Sequence, residues 1–307
     1  MPTLANEKIR LIVTAKCNLD CFYCHNEGQA KEETFISPGQ VEVISGALDA
    51  ASLRASEVTI SGGEPLLHPD LAEIIGLADT FADHVTMVSN GVLARPAQLE
   101  ILARRGLRKL RLGIDSLDDT KPRPSPGRLA APFRIQDLVA SARALGLLVD
   151  LNTVVTRYNR NQLGDLTRFA VTNGMSIKFF EHVEVDEYGT VNSVGEMLPR
   201  PQVPVAHVER QINQALGTTV ELVATPEFGE SNLACWVDGV EIRYCRYLCA
   251  FGLCWLTGTR IDPQGFVYNC MVNRGLDRLG DPAPSTVLGV LDRASARPCK
   301  ARIRSGS

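Results

Sequence analysis

An α/β fold built on a parallel sheet follows from three features of the sequence. Short apolar runs alternate with helical patterns six times between residues 8 and 180, the rhythm of strands joined by crossover helices. The chain has 307 residues, 45% of them hydrophobic, which is enough for one large domain and a smaller appendage. Past residue 181 the rhythm gives way to an acidic stretch followed by Pro199, Pro201 and Pro204, so the expected domains are residues 1–182 and 183–307.

Taken in order, residues 8–14 read as a strand that leads into a cysteine-bearing loop. A helix is expected over 38–54, with Ser37 as its cap and Pro38 at its first position. Val58, Thr59 and Ile60 form a short buried strand that ends at Gly62, Gly63 and Glu64. The alternation continues as helix 69–80, strand 84–88, helix 96–105, strand 108–114, helix 133–146, strand 148–155, helix 162–173 and strand 175–180. Beyond the boundary, a helix is expected near 205–216 and strands near 219–224. Asp262-Pro263-Gln264-Gly265 marks a hairpin turn.

Composition narrows the function. A formal charge of −3 with no basic tail argues against a dedicated nucleic-acid binder. No run approaches eighteen apolar residues and the N-terminus has no apolar signal core, so the expectation is a cytoplasmic protein without a membrane partner. Nine cysteines in a reducing compartment are metal ligands or reactive thiols more naturally than disulfides.

Three of those cysteines, Cys17, Cys21 and Cys24, stand at C-x3-C-x2-C spacing on one loop. Three thiolates can hold three irons of a four-iron cluster and leave the fourth open for chemistry. A zinc site is the alternative, although zinc motifs usually come as paired C-x2-C units. With Phe22 and Tyr23 before the last cysteine, the loop resembles the signature of the radical S-adenosylmethionine (radical SAM) enzymes. The resemblance implies a [4Fe-4S] cluster whose open iron chelates S-adenosyl-L-methionine, a deoxyadenosyl radical, and hydrogen abstraction from an unactivated C–H bond. It also implies a partial (βα)6 barrel with its chemistry at the C-terminal strand ends, and a one-electron donor such as flavodoxin or ferredoxin. Gly62, Gly63 and Glu64 resemble the family's glycine-rich turn, where a carboxylate meets the cofactor's ammonium. Ser89 and Asn90 after the third strand, Asp115 and Ser116 after the fourth, and the backbone of Tyr23 stand where the family contacts methionine, ribose and adenine.

The second cysteine group lies after the boundary. Cys254 and Cys270 flank the hairpin, with Cys235, Cys245 and Cys249 upstream and Cys299 downstream. The arrangement resembles the small C-terminal auxiliary-cluster module called twitch. Six cysteines, where a two-cluster extension needs seven, imply one auxiliary [4Fe-4S] cluster, held by Cys254 and Cys270 with Cys235 and Cys245; a zinc ribbon is the alternative.

Likenesses to the GTP cyclases of molybdenum-cofactor biosynthesis run through both regions: Arg10, G-G-E-P-L, S-N-G-x-L, I-D-S-L-D and N-T-V-V. The departures concern charge. Those cyclases carry an Arg-x-Arg pair just after an auxiliary cysteine, whereas Cys254 is followed by Trp255 to Thr259 before Arg260; Glu57 and Thr59 replace basic residues; and the C-terminal double glycine is absent. A site for a tetra-anion cannot lose most of its cations and keep its substrate. Glu181, Glu184, Asp186 and Glu187, expected at the barrel mouth, suit a cationic small molecule instead. Cys249 is left as a free thiol, and an S–H bond is weak enough to return a hydrogen atom to a carbon radical. In these respects the chain resembles the radical SAM epimerases that finish aminoglycosides, taking neomycin C to neomycin B. The alternative is a cyclase-like or sugar-nucleoside-tailoring enzyme; a rival of another class is an iron–sulfur scaffold without catalysis.

Overall fold

The computed structural model describes residues 8–24, 26–28, 33–117, 134–182, 203–226, 229–246, 258–269, 277–280 and 283–295. Six strands, β1 (Lys8–Thr14), β2 (Glu57–Gly62), β3 (Val85–Ser89), β4 (Leu107–Gly113), β5 (Leu148–Val155) and β6 (Ile177–Glu181), pair in chain order and in parallel. Between them run α1 (Pro38–Ala50), α2 (Leu71–Phe81), α3 (Pro96–Arg104), α4 (Ile135–Ala144) and α5 (Leu163–Thr172). This is the expected partial barrel, with its sheet left open.

The strands beyond the expected boundary build no separate sheet among the described residues. They extend both edges of the barrel in the order β11-β10-β1-β2-β3-β4-β5-β6-β9-β8-β7. β9 (Val240–Cys245) runs parallel to β6, and β8 (Gly229–Val237) and β7 (Val223–Thr225) follow it as an antiparallel meander. At the other edge β10 (Thr259–Ile261) pairs in parallel with β1 and turns into β11 (Val267–Tyr268). The turn is the expected one: Asp262 accepts from the Gln264 and Phe266 amides, and Gly265 N–H donates to the Asp262 carbonyl at 2.8 Å.

Two elements lie beyond the sequence expectations. The β8–β9 hairpin turns on Asp238 and Gly239, both at positive φ (51° and 76°), the conformation that a two-residue primed turn requires. Its D-G signal was present in the sequence. The helix α7 (Pro284–Ser295) also had no predicted counterpart; it packs on α1. α1 itself begins with the expected cap, Ser37 and Gln40 completing a capping box, but ends at Ala50 rather than 54. Ser52 adopts φ 54°, and the Arg54 side chain is drawn to the Thr80 carbonyl and Asp83 at the end of α2.

Side chains alternate across each strand, and the alternation divides two chemistries. The helix-facing set, including Val58, Ile60, Met87, Leu110, Leu112, Leu151, Ile177, Phe179 and Ile242, is apolar and nearly inaccessible. The concave set, including Glu57, Thr59, Lys109, Arg111, Asp150, Asn152, Lys178 and Arg243, is polar or charged. Parallel sheets usually bury apolar residues on both faces, so a charged concave face marks the lumen as a working surface.

The helix layer continues past the boundary because α6 (Val205–Leu216) packs on α5, where a Cβ on Gly164 would lie 2.8 Å from the Gln211 carbonyl. Gly164→Ala is expected to push α6 outward and destabilise the fold by about 1–3 kcal/mol, read as a lowered melting temperature.

Candidate active site

The loop bearing Cys17, Cys21 and Cys24 leaves the C-terminal end of β1. Backbone amides already point at its sulfurs: Leu19 N–H donates to Cys17 Sγ at 3.4 Å and Asn26 N–H to Cys24 Sγ at 3.4 Å. Such donors stabilise thiolate ligands of iron–sulfur clusters, so the residues fit the expected group. Without metal, burial pushes the Cys17 thiol up to about 11, with the charges of Glu64, Cys24 and Cys21 adding to the shift against the Leu19 amide.

The glycine-rich turn is joined directly to this loop. Gly63 N–H donates to the Thr14 carbonyl at 2.7 Å and Glu64 N–H to the Lys16 carbonyl at 2.8 Å. Gly62, at φ 134°, and Gly63 permit this approach: a Cβ would stand 2.3 Å from Thr14 O on the first and 2.1 Å from Lys16 O on the second. Glu64 is fully buried, and its carboxylate accepts from Leu66 N (3.0 Å), Ser89 Oγ (2.8 Å) and Asn90 N (2.8 Å). Burial raises its pKa, while those three donors oppose the shift. Asn90 reaches on to Asn18 Oδ1 at 2.8 Å, in the cysteine loop itself. The structure thus brings Gly62, Gly63, Glu64, Ser89 and Asn90 together around that loop.

Tyr23 contributes through its side chain as well. Its phenol donates to Asp115, whose other oxygen accepts from Val154 N at 3.2 Å, so the loop is tied to the ends of β4 and β5. Burial, then the Asp115 charge, drives the phenol pKa far above its usual range. Ser116 follows as a buried residue at the same end of the sheet. Phe22, Tyr23, Tyr158 and His182 form an edge-to-face aromatic wall beside it.

Sequence reasoning passed over the residue that organises the lumen wall at β1. Glu27 sits in left-handed backbone at φ 54° and accepts from Arg10 at 2.7 Å and from Arg260 at 3.4 Å. Its carbonyl accepts from the Tyr268 hydroxyl at 3.1 Å. Arg111 pairs with Glu57 at 2.9 Å, Lys109 with Asp150 at 3.0 Å, and Arg243 with Glu241. Charged residues at alternate positions of strands otherwise read as buried, as in Arg108 to Gly113, were the available signal.

Two expectations are corrected by strand register. Cys235 pairs with Ile242 on the helix side, inside the hydrophobic core, while Cys245 lies three residues further along β9 and on the concave face. Opposite faces and about 10 Å of strand prevent both from serving one cluster at the barrel mouth, so Cys235 leaves the auxiliary ligand set. Burial, then Glu209, raises its thiol to about 11. Glu181 alternates with the concave Lys178 and Phe180, which turns it to the outer face near Tyr244; it does not line the lumen. Cys249, Cys254, Cys270, Glu184, Asp186 and Glu187 lie outside the described residues.

Residues 11–170 match the radical SAM superfamily. The chain belongs to that superfamily. S-adenosyl-L-methionine and a [4Fe-4S] cluster are therefore its cofactors, and the protein is an enzyme. Over 269 residues it is 26% identical to a probable GTP 3',8-cyclase of Methanococcus vannielii, covering 86% of this chain and 84% of the relative. It is 30% identical over 196 residues to the GTP 3',8-cyclase of Aquifex aeolicus, covering 60% and 58%. The radical SAM fold is shared with Streptococcus suis SuiB bound to S-adenosylmethionine at TM-score 0.66 and 18% identity, over 98% of this chain and 68% of that one. Native anSMEcpe with bound AdoMet aligns at TM-score 0.58 and 11% identity, over 94% and 80%. Among the described residues no helix is long and apolar enough to cross a membrane.

Two outcomes test the site. Replacing Cys17, Cys21 and Cys24 together by Ala should abolish S-adenosylmethionine cleavage under reducing conditions and remove one cluster's worth of iron. Gly63→Ala, by driving a methyl into Lys16 O, should lower iron incorporation although no ligand has changed; full incorporation would show that the turn does not hold the loop.

Proposed function

We propose that the enzyme inverts a carbon centre of a cationic aminosugar, with neomycin C to neomycin B as the working substrate and product. The single observation that carries this reading is the pairing of both Arg10 and Arg260 with Glu27, which leaves the two with one net positive charge. These are the arginines that β1 and β10 offer to the lumen, and with both committed to one buried carboxylate they are not free to clamp a triphosphate. Glu184, Asp186 and Glu187 remain the carboxylates assigned to the substrate's ammonium groups.

The bound cluster and S-adenosylmethionine supply a deoxyadenosyl radical that takes hydrogen from the substrate. The chain's part is to hold that chemistry in place and to finish it. The Glu64–Ser89–Asn90 network fixes the cysteine loop against the glycine turn, and Tyr23 and Asp115 fix its other end. Cys249 then returns a hydrogen atom to the opposite face: its S–H bond breaks, a C–H bond forms, and the sulfur radical takes one electron and a solvent proton. A flavodoxin- or ferredoxin-type donor of the cytoplasm provides that electron. With Cys235 in the core, an auxiliary [4Fe-4S] cluster falls to Cys245, Cys254, Cys270 and Cys299, and Cys249 stays free.

The second reading, a GTP-cyclase-like reaction on a nucleotide, is favoured by the similarity to GTP 3',8-cyclases over 86% of the chain. One experiment separates the two. The reconstituted, reduced enzyme is given S-adenosylmethionine in deuterated water with either neomycin C or GTP. The expected product is neomycin B with one deuterium at the inverted carbon; a cyclised nucleotide with neomycin C untouched would establish the second reading.

The thiol assignment makes an asymmetric prediction. Cys249→Ala should keep its iron and release deoxyadenosine without epimer, whereas Cys299→Ala should lose auxiliary-cluster iron. Normal epimer yield from Cys249→Ala would remove its donor role, and iron loss there would make it a ligand.

A further inference from the structure

The concave face carries a set of polar groups that the folded chain leaves unanswered. Among the described residues Lys178 makes no hydrogen bond or ion pair, although Arg111, Lys109 and Arg243 each have a carboxylate. Arg111 Nε, Asn152 Oδ1 and Asn232 Oδ1 are buried without a hydrogen-bond partner, and Asn232 is only 2% exposed. An orphaned buried polar atom is costly, so three of them on one face, beside a partly buried Lys178 without an ion pair, require an explanation beyond the fold.

Register places them together. Asn152 on β5 pairs with Lys178 on β6, which pairs with Arg243 on β9, which pairs with Ala234 on β8. Residues paired across parallel or antiparallel neighbours share a face about 5 Å apart. One step nearer the mouth, Asn232 faces Cys245 on the same side. The row ends in small residues, Gly113 beside Asn152 and Ala234 beside Arg243. Arg111 stands on the neighbouring strand β4 and pairs with Glu57 on β2.

We infer that Asn152, Lys178 and Asn232, with Arg111 Nε, form a substrate subsite in the lumen that takes a hydroxyl-bearing sugar ring. The position follows from the concave face alone; the identity of the sugar rests on the proposed function. The unanswered groups are two acceptors, the amide oxygens, and two donors, the Lys178 amine and the Arg111 N–H. A phosphate only accepts and would leave both amides unmet. An ammonium only donates and would leave Lys178 and Arg111 unmet. A hydroxyl does both, so a ring with several hydroxyls answers the whole set. Burial lowers the Lys178 pKa, with Arg111 and Arg243 adding to the shift.

The test has one arm without ligand and one with. In the reconstituted enzyme free of substrate, Asn152→Leu and Asn232→Leu remove unanswered acceptors and should each raise the melting temperature by about 2 °C or more; a fall would mean that the amides serve the fold and would overturn the subsite. In titration calorimetry with neomycin C, Lys178→Met, Asn152→Ala and Asn232→Ala should each weaken binding at least tenfold with iron content unchanged. Retained affinity in all three overturns the inference. If the wild-type enzyme binds GTP and not neomycin C, the aminosugar reading falls, and the same three losses measured with GTP keep the subsite while retained GTP affinity ends it. If neither compound binds, the melting temperatures decide.

Discussion

Charge placed on the concave face of a parallel sheet has to be matched inside the protein, and most of this structure follows from how that is done. A guanidinium or ammonium held away from water is tolerable only with a carboxylate close by. Glu27 meets that need for two arginines from strands at opposite ends of the chain, Arg10 and Arg260, and it holds a left-handed backbone to do so. The pairing also joins the loop after the cluster cysteines to the β10–β11 hairpin through the Tyr268 hydroxyl. A substitution at Glu27 would therefore be felt in the active site, in the edge of the sheet and in the charge of the lumen together.

Matching is fuller along β1 to β4 than between β5 and β8. On the first side Arg10, Lys109 and Arg111 each face a carboxylate, and only Arg111 Nε is left without a partner among the described residues. On the second, Lys178 and two asparagine oxygens have none, and the neighbouring side chains are small. A protein of marginal stability retains unmet groups of this kind where a ligand meets them, which is the usual relation between a stable scaffold and a strained site.

The same separation of scaffold and site appears at the strand ends. The fully buried Glu64 spends its carboxylate on Ser89, Asn90 and Leu66, and the glycines beside it allow the backbone of the turn to touch that of the cysteine loop. Three segments distant in sequence are thereby held as one unit. The similarity to GTP 3',8-cyclases spans 86% of the chain, whereas the departures read from the sequence concern charge. Radical generation and substrate choice are carried by different residues, so similarity in the first does not fix the second.

How much the sequence determined by itself depends on the range of the interactions involved. The cluster motif was legible because three sulfurs on one eight-residue loop need no help from elsewhere. The six-fold rhythm of strands and helices was legible because each period is written in neighbouring residues, and the Ser37 cap for the same reason. The Asp238-Gly239 turn was equally local and was simply passed over. What the tertiary structure alone decided was the facing and pairing of groups far apart in the chain. A single-residue change of register exchanges one face of a strand for the other. Composition and spacing therefore could not place Cys235 in the core and Cys245 on the lumen, turn Glu181 outward, or bring Arg260 to Glu27 across 233 positions.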